Sequence, residues 1–247
     1  MSPKTAHTDI VLVTGANQGI GFETARKLAA EHEGYHVIMA GRRKDATEDA
    51  ARILQDEGLS VEPLVMDVNS DESIAAAVET TKAKHGRLDV LINNAGISAA
   101  PGAETRAAWT KIFDTNVFSV AAVTDGFLPL LEKSQKTKRL VFVSSNVASL
   151  GLRADPTSAM HGLSQWMEYS CSKSALNMLA LHYVVRFEND PTWKINLGSP
   201  GYCATNLNGY FGTNTAGSGA VHICHLATLG SDGESGAFSE KEGPIPW

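Results

Sequence analysis

Cysteine is scarce: three residues, Cys171, Cys203 and Cys224, are scattered over the second half of the 247-residue chain. That is too few for a disulfide framework, so a reducing compartment is expected, with the cytoplasm as the default location. No run of about 18 apolar residues is present, which excludes a predicted spanning helix. Residues 1–8 are polar and lack the apolar stretch of a secretory signal. Basic charge is limited too: 21 Lys and Arg against 27 Asp and Glu leave a net charge of −6. Beyond the short Arg42-Arg43-Lys44 run there is no basic cluster, which argues against nucleic acid and membrane surfaces as partners. Metal-ligand spacing is equally thin. His222, Cys224 and His225 share one short predicted helix with no second cluster to complete four ligands, so no metal is expected.

What remains is an ordinary globular composition, 43% hydrophobic and 19% charged, in a chain long enough for one sizeable core. Short apolar runs alternate with longer amphipathic stretches. Strands are expected at residues 10–13, 35–40, 61–66, 88–92, 139–144, 194–198 and 236–239. Helices are expected at 20–33, 45–57, 70–85, 105–132, 166–188 and 220–229. Strands without polar alternation, separated by helices, imply a parallel sheet covered on both faces. The expected fold is a single doubly wound α/β domain over residues 1–247. Two Gly-, Ser-, Thr- and Asn-rich stretches, 148–165 and 202–219, break the rhythm. Loops of that length in a compact domain tend to carry function.

The first strand runs into Thr14-Gly15-Ala16-Asn17-Gln18-Gly19-Ile20-Gly21, and a helix follows. Glycines there permit a tight turn and close approach of backbone to a pyrophosphate, while the helix N-terminus offers free N–H groups. This T-G-x-x-x-G-x-G spacing resembles the short-chain dehydrogenase/reductase family. Asp67-Val68 after the third strand, Asn93-Asn94-Ala95-Gly96 after the fourth, then Asn116, Ser145, Tyr169 and Lys173, and finally Pro200-Gly201-Tyr202-Cys203-Ala204-Thr205 follow in the family's order, over residues 9–205. The resemblance implies a Rossmann-type fold. It also implies a nicotinamide cofactor held by Thr14, Gly15, Asn17, Gln18, Gly19, Ile20, Gly21, Asp67, Val68, Asn93, Ala95, Gly96, Tyr169, Lys173, Pro200, Gly201 and Thr205.

The choice between NAD and NADP falls near the end of the second strand, where an NAD enzyme places an acid against the ribose hydroxyls. Here the segment reads Ala40-Gly41-Arg42-Arg43. The planar fork of Arg42 suits a 2′-phosphate, and Arg43 adds charge. NADPH is favoured, although related NADPH carbonyl reductases often carry a basic residue where this chain has Gln18.

Tyr169 and Lys173 stand at i and i+4, on one face of the predicted helix. A phenol of pKa near 10 is a poor base at neutral pH, and a neighbouring ammonium is expected to lower that value. Tyr169 would then donate a proton to a carbonyl oxygen, or remove one in the reverse direction. Ser144 and Ser145 end the fifth strand. Ser145 fits the family's S-x-x-G/A pattern, with Ser144 as the alternative for orienting the substrate oxygen. The resemblance makes Asn116 a relay member that holds a water beside Lys173. It also implies pro-S hydride transfer.

Ser145 and Tyr169 are 24 positions apart, where about 13 is usual in the family. Larger inserts at this place occur in monomeric carbonyl reductases, so monomer and homodimer both stay open. Leu207, Tyr210 and Phe211, with Trp166 and Met167, suggest an apolar or aromatic pocket under a lid at 202–219. Glycines 209, 212 and 217 lead to the expectation that the lid's backbone is weakly held without substrate. Cys203 reads as a small buried filler. The function expected is NADPH-dependent reduction of a ketone or aldehyde. Alcohol oxidation, an isomerisation or cyclisation in the same site, and a non-catalytic NADPH sensor are the alternatives.

Overall fold

The computed structural model describes residues 9–99 and 105–247. Among these residues eight strands form one sheet in the order β3-β2-β1-β4-β5-β6-β7-β8. They are β1 (Asp9–Thr14), β2 (Tyr35–Gly41), β3 (Val61–Val65), β4 (Val90–Asn93), β5 (Lys138–Val143), β6 (Trp193–Gly198), β7 (Phe238–Glu240) and β8 (Gly243–Pro244). All neighbours pair in parallel except β7 and β8, which form a short antiparallel turn-back at the edge. This is the doubly wound Rossmann-type domain expected.

Alternation along each strand builds two cores. Ile10 and Leu12 of β1 join a cluster under helices α3 (Asp71–His85), α5 (Ser119–Leu131) and α7 (Met167–Arg186). Val11 and Val13 face the other way, toward α1 (Gly19–Glu31), α2 (Lys44–Asp56) and α8 (Ala216–Ala227). The strands are therefore apolar on both sides, as a sheet covered twice requires. Helix α2 buries Thr47, Ala50, Ala51 and Leu54, a single stripe at helical spacing. Helix α3 is bounded by its own sequence. Ser70 Oγ accepts from Ser73 N, Asp71 and Glu72 open the first turn, and Gly86 stops the helix at φ 73°. Among the described residues no helix is long and apolar enough to cross a membrane.

Three local departures from the expected elements matter for the site. The long helix at 105–132 is broken into α4 (Thr105–Phe113) and α5 by a π-helical turn, Asp114–Phe118, which carries Asn116. The stretch at 148–165 is not featureless: a 3₁₀ turn, Asn146–Ala148, leads into α6 (Leu150–Ala154). The helix expected at 220–229 begins earlier, at Ala216, with Thr215 Oγ1 accepting from Ser218 N. Its glycines disguise that start. A Cβ on Gly219 would stand 2.5 Å from Cys203 Sγ, so close packing against the Pro200 turn, and not loop character, calls for glycine there.

The order reverses between β1 and β4, because β2 and β3 continue to one side and β5 to β8 to the other. A crevice opens at the carboxyl ends of the strands at such a switch point. Every segment singled out for cofactor or substrate lies on this edge.

Candidate active site

The glycine loop is shaped by close approach. Gly15 and Gly19 adopt φ 65° and 59°, a region that L side chains rarely enter. A Cβ on Gly21 would meet Asn94 Nδ2 at 2.4 Å and Gly15 O at 2.6 Å. Helix α1 therefore starts hard against the turn, with Gln18 exposed at its cap and Ile20 packed on the second core. Thr14 and Asn94 hold the two strand ends together. Thr14 Oγ1 accepts from Asn94 N and Ala95 N, each at 2.9 Å, and Asn94 Nδ2 donates to Thr14 O at 2.7 Å. Asn94 was not among the candidate residues, although it sits in the quoted Asn-Asn-Ala-Gly element. Asn93 is buried, with its amide donating to Thr124 Oγ1 at 2.9 Å.

The remaining cofactor candidates gather round this turn. Thr14, Val68, Asn93 and Ala95 line one small crevice with Thr115. Asp67 Oδ1 accepts from Asn69 N, bending the chain after β3. Thr205 lies over the start of α1, 3.5 Å from the position a Gly19 Cβ would take, and it brings the Pro200-Gly201 turn onto the glycine loop. Asn17 sits beside the end of β2, 3.2 Å from where a Gly41 Cβ would be. Arg42 and Arg43 follow, both exposed, and neither makes an ion pair among the described residues.

The four catalytic candidates converge below. Lys173 Nζ donates to Val143 O at 2.9 Å and lies 5.8 Å from the centre of the Tyr169 ring. A Cβ on Gly96 would be 3.5 Å from Lys173 Nζ and 3.2 Å from Asn116 Oδ1. Asn116 is fully buried, with Oδ1 accepting from Ile97 N at 2.9 Å and Nδ2 donating to Ile97 O and Ser172 Oγ. Ser172 in turn donates to Tyr169 O at 2.7 Å. Sequence reasoning passed over Ser172, although its position inside the Tyr-x-x-x-Lys element is a usable signal. The two serines separate clearly. Ser144 is buried and donates to Asn177 Oδ1 at 2.6 Å, whereas the Ser145 hydroxyl lies near enough to the Tyr169 phenol to act on its pKa.

Electrostatics correct one expectation. Burial pushes the Tyr169 phenol up to about 12, and the Ser145 hydrogen bond only partly opposes it. The anticipated lowering by Lys173 is absent from this geometry. Its ammonium is itself buried and turned to the Val143 carbonyl, and burial brings Lys173 down to about 8.

The substrate side is assembled from longer segments. Arg153 Nη1 donates to Met160 O and Leu163 O, pinning the insert, while Gly151 N donates to Trp247 O at 2.7 Å and Ser149 Oγ to Pro246 O. The last residues of the chain thus strap the segment that follows Ser145. At the other end Trp166 caps α7 at φ 58°, with its ring 6.0 Å from that of Tyr202. Across the cleft, Leu207, Tyr210 and Phe211 are exposed, Phe211 to 80%. The backbone beneath them is held more firmly than its glycines suggest. Ser98 Oγ donates to Leu207 O, Tyr210 N to Thr205 O, and Cys203 bridges Asn214. Cys203 itself is buried, its Sγ donating to Pro200 O at 3.1 Å. His222 and Cys224 are buried as well, engaged with Ser239 Oγ and Thr24 O.

Comparison with known proteins gives a consistent picture. Residues 9–215 match the family model described as short chain dehydrogenase. The chain is 40% identical over 230 residues to the short-chain dehydrogenase anuI of Penicillium roqueforti, covering 91% of this chain and 90% of that protein. It is 29% identical to a (+)-neomenthol dehydrogenase of Capsicum annuum, covering 96% and 97% of the two chains. Among solved structures, salutaridine reductase from Papaver somniferum superposes with a TM-score of 0.81 at 24% identity, covering 93% of this chain and 99% of that one. The NADPH-bound carbonyl reductase from chicken fatty liver gives 0.80 at 24% identity, covering 96% and 98%.

Proposed function

The chain belongs to the short-chain dehydrogenase/reductase family, and from that premise we propose that it reduces a ketone or aldehyde with NADPH, using Tyr169 as the proton donor. It is an oxidoreductase acting on CH–OH and C=O groups. The observation that carries the finer reading is buried Lys173 lying 5.8 Å from the Tyr169 ring at the end of β5, with Ser145 beside them and Ser144 turned away to Asn177.

The cleft fits a dinucleotide phosphate. Gly15 and Gly21 let the turn pack closely on Ala95 and Asn94, Gly15 and Gly19 take the positive φ the turn needs, and the start of α1 supplies N–H groups for the pyrophosphate. Arg42 stands exposed at the end of β2, where its guanidinium takes the 2′-phosphate. An NADPH-bound carbonyl reductase among the structural neighbours supports the same cofactor. NADPH supplies the hydride. Everything else is the protein's part.

Ser145 holds the substrate oxygen against the Tyr169 hydroxyl. The Tyr169 phenol is protonated at neutral pH and donates its proton as the substrate oxygen gains charge. Lys173 would bind the nicotinamide ribose, and its ammonium would stabilise the phenolate left behind. Asn116, its amide bonded to Ile97 and Ser172, is placed beside Lys173 as the relay member that holds a water. The aromatic tips of residues 202–219 close over a small carbonyl compound of apolar or aromatic character.

The test is turnover of a panel of ketones and aldehydes with NADPH and, separately, NADH. Alcohol formation with clear preference for NADPH supports the reading. Preference for NADH, or cofactor binding with no carbonyl turned over, contradicts it.

A further inference from the structure

At the opposite edge of the sheet from the catalytic cleft, three side chains converge from three elements. His36 is the second residue of β2, Glu62 the second of β3, and His85 the last of α3. Ile38 pairs with Glu62, so by alternation His36, Ile38 and Glu62 face the same side, the one α3 covers. The left-handed stop at Gly86 ends α3 where His85 reaches the strand ends. Glu62 Oε1 is 2.8 Å from His85 Nε2 and 3.8 Å from His36 Nε2. Donor atoms of all three lie within 4.8 Å of one another. The two imidazole rings are 5.3 Å apart, tilted at 42°.

We propose that His36, Glu62 and His85 bind a borderline divalent cation, Zn(II) in the first place, at a site separate from the catalytic cleft. Two imidazoles and one carboxylate are a ligand set that Zn(II) takes, with a water in the fourth position. Zn–N and Zn–O bonds of about 2.0–2.2 Å place tetrahedral ligand atoms roughly 3.4 Å apart. The present spacings, 2.8 and 3.8 Å from Glu62 Oε1 and all within 4.8 Å, bracket that value. The surroundings suit the ion. His36 Nδ1 is hydrogen-bonded to Ser60 Oγ at 2.9 Å, the outer contact that fixes a ligating imidazole with Nε2 toward the metal. The two oxygens of Glu62 are turned to different partners. Lys84 Nζ takes Oε2 at 2.9 Å and leaves Oε1 facing the imidazoles. The carbonyl end of α3 adds a favourable dipole for a cation. The side chains are only 12%, 21% and 14% exposed for His36, Glu62 and His85, so the ligands are partly pre-organised.

Bound there, the ion staples β2, β3 and α3 together, far from Tyr169. It therefore raises stability and leaves carbonyl turnover unchanged. The experiment uses the untagged, chelator-treated full chain, titrated calorimetrically with Zn(II) alone, with Co(II) as a spectroscopic probe. Expected results are one equivalent of saturable binding, the visible bands of a four-coordinate N/O Co(II) site and a higher Tm with Zn(II). His36→Ala, His85→Ala and Glu62→Gln should each weaken binding at least tenfold. If His36→Ala or Glu62→Gln unfolds, His85→Gln at the helix end still decides the matter. Absence of saturable binding, or binding undiminished in the folded variants, overturns the site.

Discussion

The glycine loop and the substrate loops share one edge of the sheet but are held by different means. The loop between β1 and α1 is fixed by close approach at Gly15 and Gly21, where a Cβ would fall 2.4–3.0 Å from the nearest neighbour, and by the short Thr14 and Asn94 side chains that tie the strand ends. The substrate side is fixed by side chains and by the chain's end: Arg153 on two carbonyls, Ser149 on Pro246, and aromatic residues at positive φ such as Trp166 and Tyr210. Bulky residues in that region carry local strain, of order 1–3 kcal/mol each, that the surroundings must offset. The first construction presents one shape to one invariant ligand. The second can vary its tips while its base stays in place, which is what a change of substrate demands.

Lys173 lies at the boundary of the two and offers the sharpest way to break the comparison. Lys173→Met should cut carbonyl turnover by at least about a hundredfold, the scale of a disabled proton transfer. It should also raise stability at neutral pH. Burial holds the lysine at about 8 instead of 10.5, and at 1.36 kcal/mol per unit the charged form costs roughly 3 kcal/mol. The variant recovers that, less what the Val143 carbonyl loses. The folded-state value lies below the unfolded one, so the gain is complete below about pH 8 and fades as pH rises toward 10.5. Denaturation of both proteins across that range checks it.

On the cofactor side, Arg42→Ala should weaken NADPH by roughly 1.5–3 kcal/mol, the worth of a charge-assisted bond, and leave NADH nearly untouched. Titrating both cofactors into both proteins reads this directly. Equal losses would mean that Arg42 supports structure and that cofactor choice lies elsewhere. The smallest effect belongs to the substrate side. Replacing Tyr210 and Phe211 by Ala should shift kcat/KM a few-fold and differently for bulky and small carbonyls, by about 1 kcal/mol of lost apolar contact. NADPH affinity should hold. Hydrogen exchange over residues 206–217 should show protection rising from cofactor-bound to ternary complex; equal protection in both would remove the lid.

Much of this was legible in the chain because it is local. Apolar runs, helix stripes and the Thr14–Gly21 spacing depend on neighbours in sequence, and the order of Asn116, Ser145, Tyr169 and Lys173 follows from resemblance. What was not legible depends on partners far away. Nothing in residues 114–118 announces a π-helical turn. The strap from Pro246 and Trp247 onto residues 149–151 is a contact between distant segments. The motif points to Ser145, but nothing local reveals that Ser144 is spent on Asn177, more than 30 positions on. The high phenol pKa of Tyr169 depends on burial and on where Lys173 points, neither of which the i, i+4 spacing reveals. His36, Glu62 and His85 are each more than 20 residues apart and form a cluster only once β2, β3 and α3 are docked.

The central claim is that Tyr169 gives the proton. Its most direct test is Tyr169→Phe, which removes one hydroxyl and keeps the ring, followed by NADPH titration and steady-state reduction of a carbonyl accepted by the parent protein. The account predicts NADPH affinity within about twofold of the parent and turnover lower by at least about a hundredfold. Reduction at close to the parent rate would contradict it.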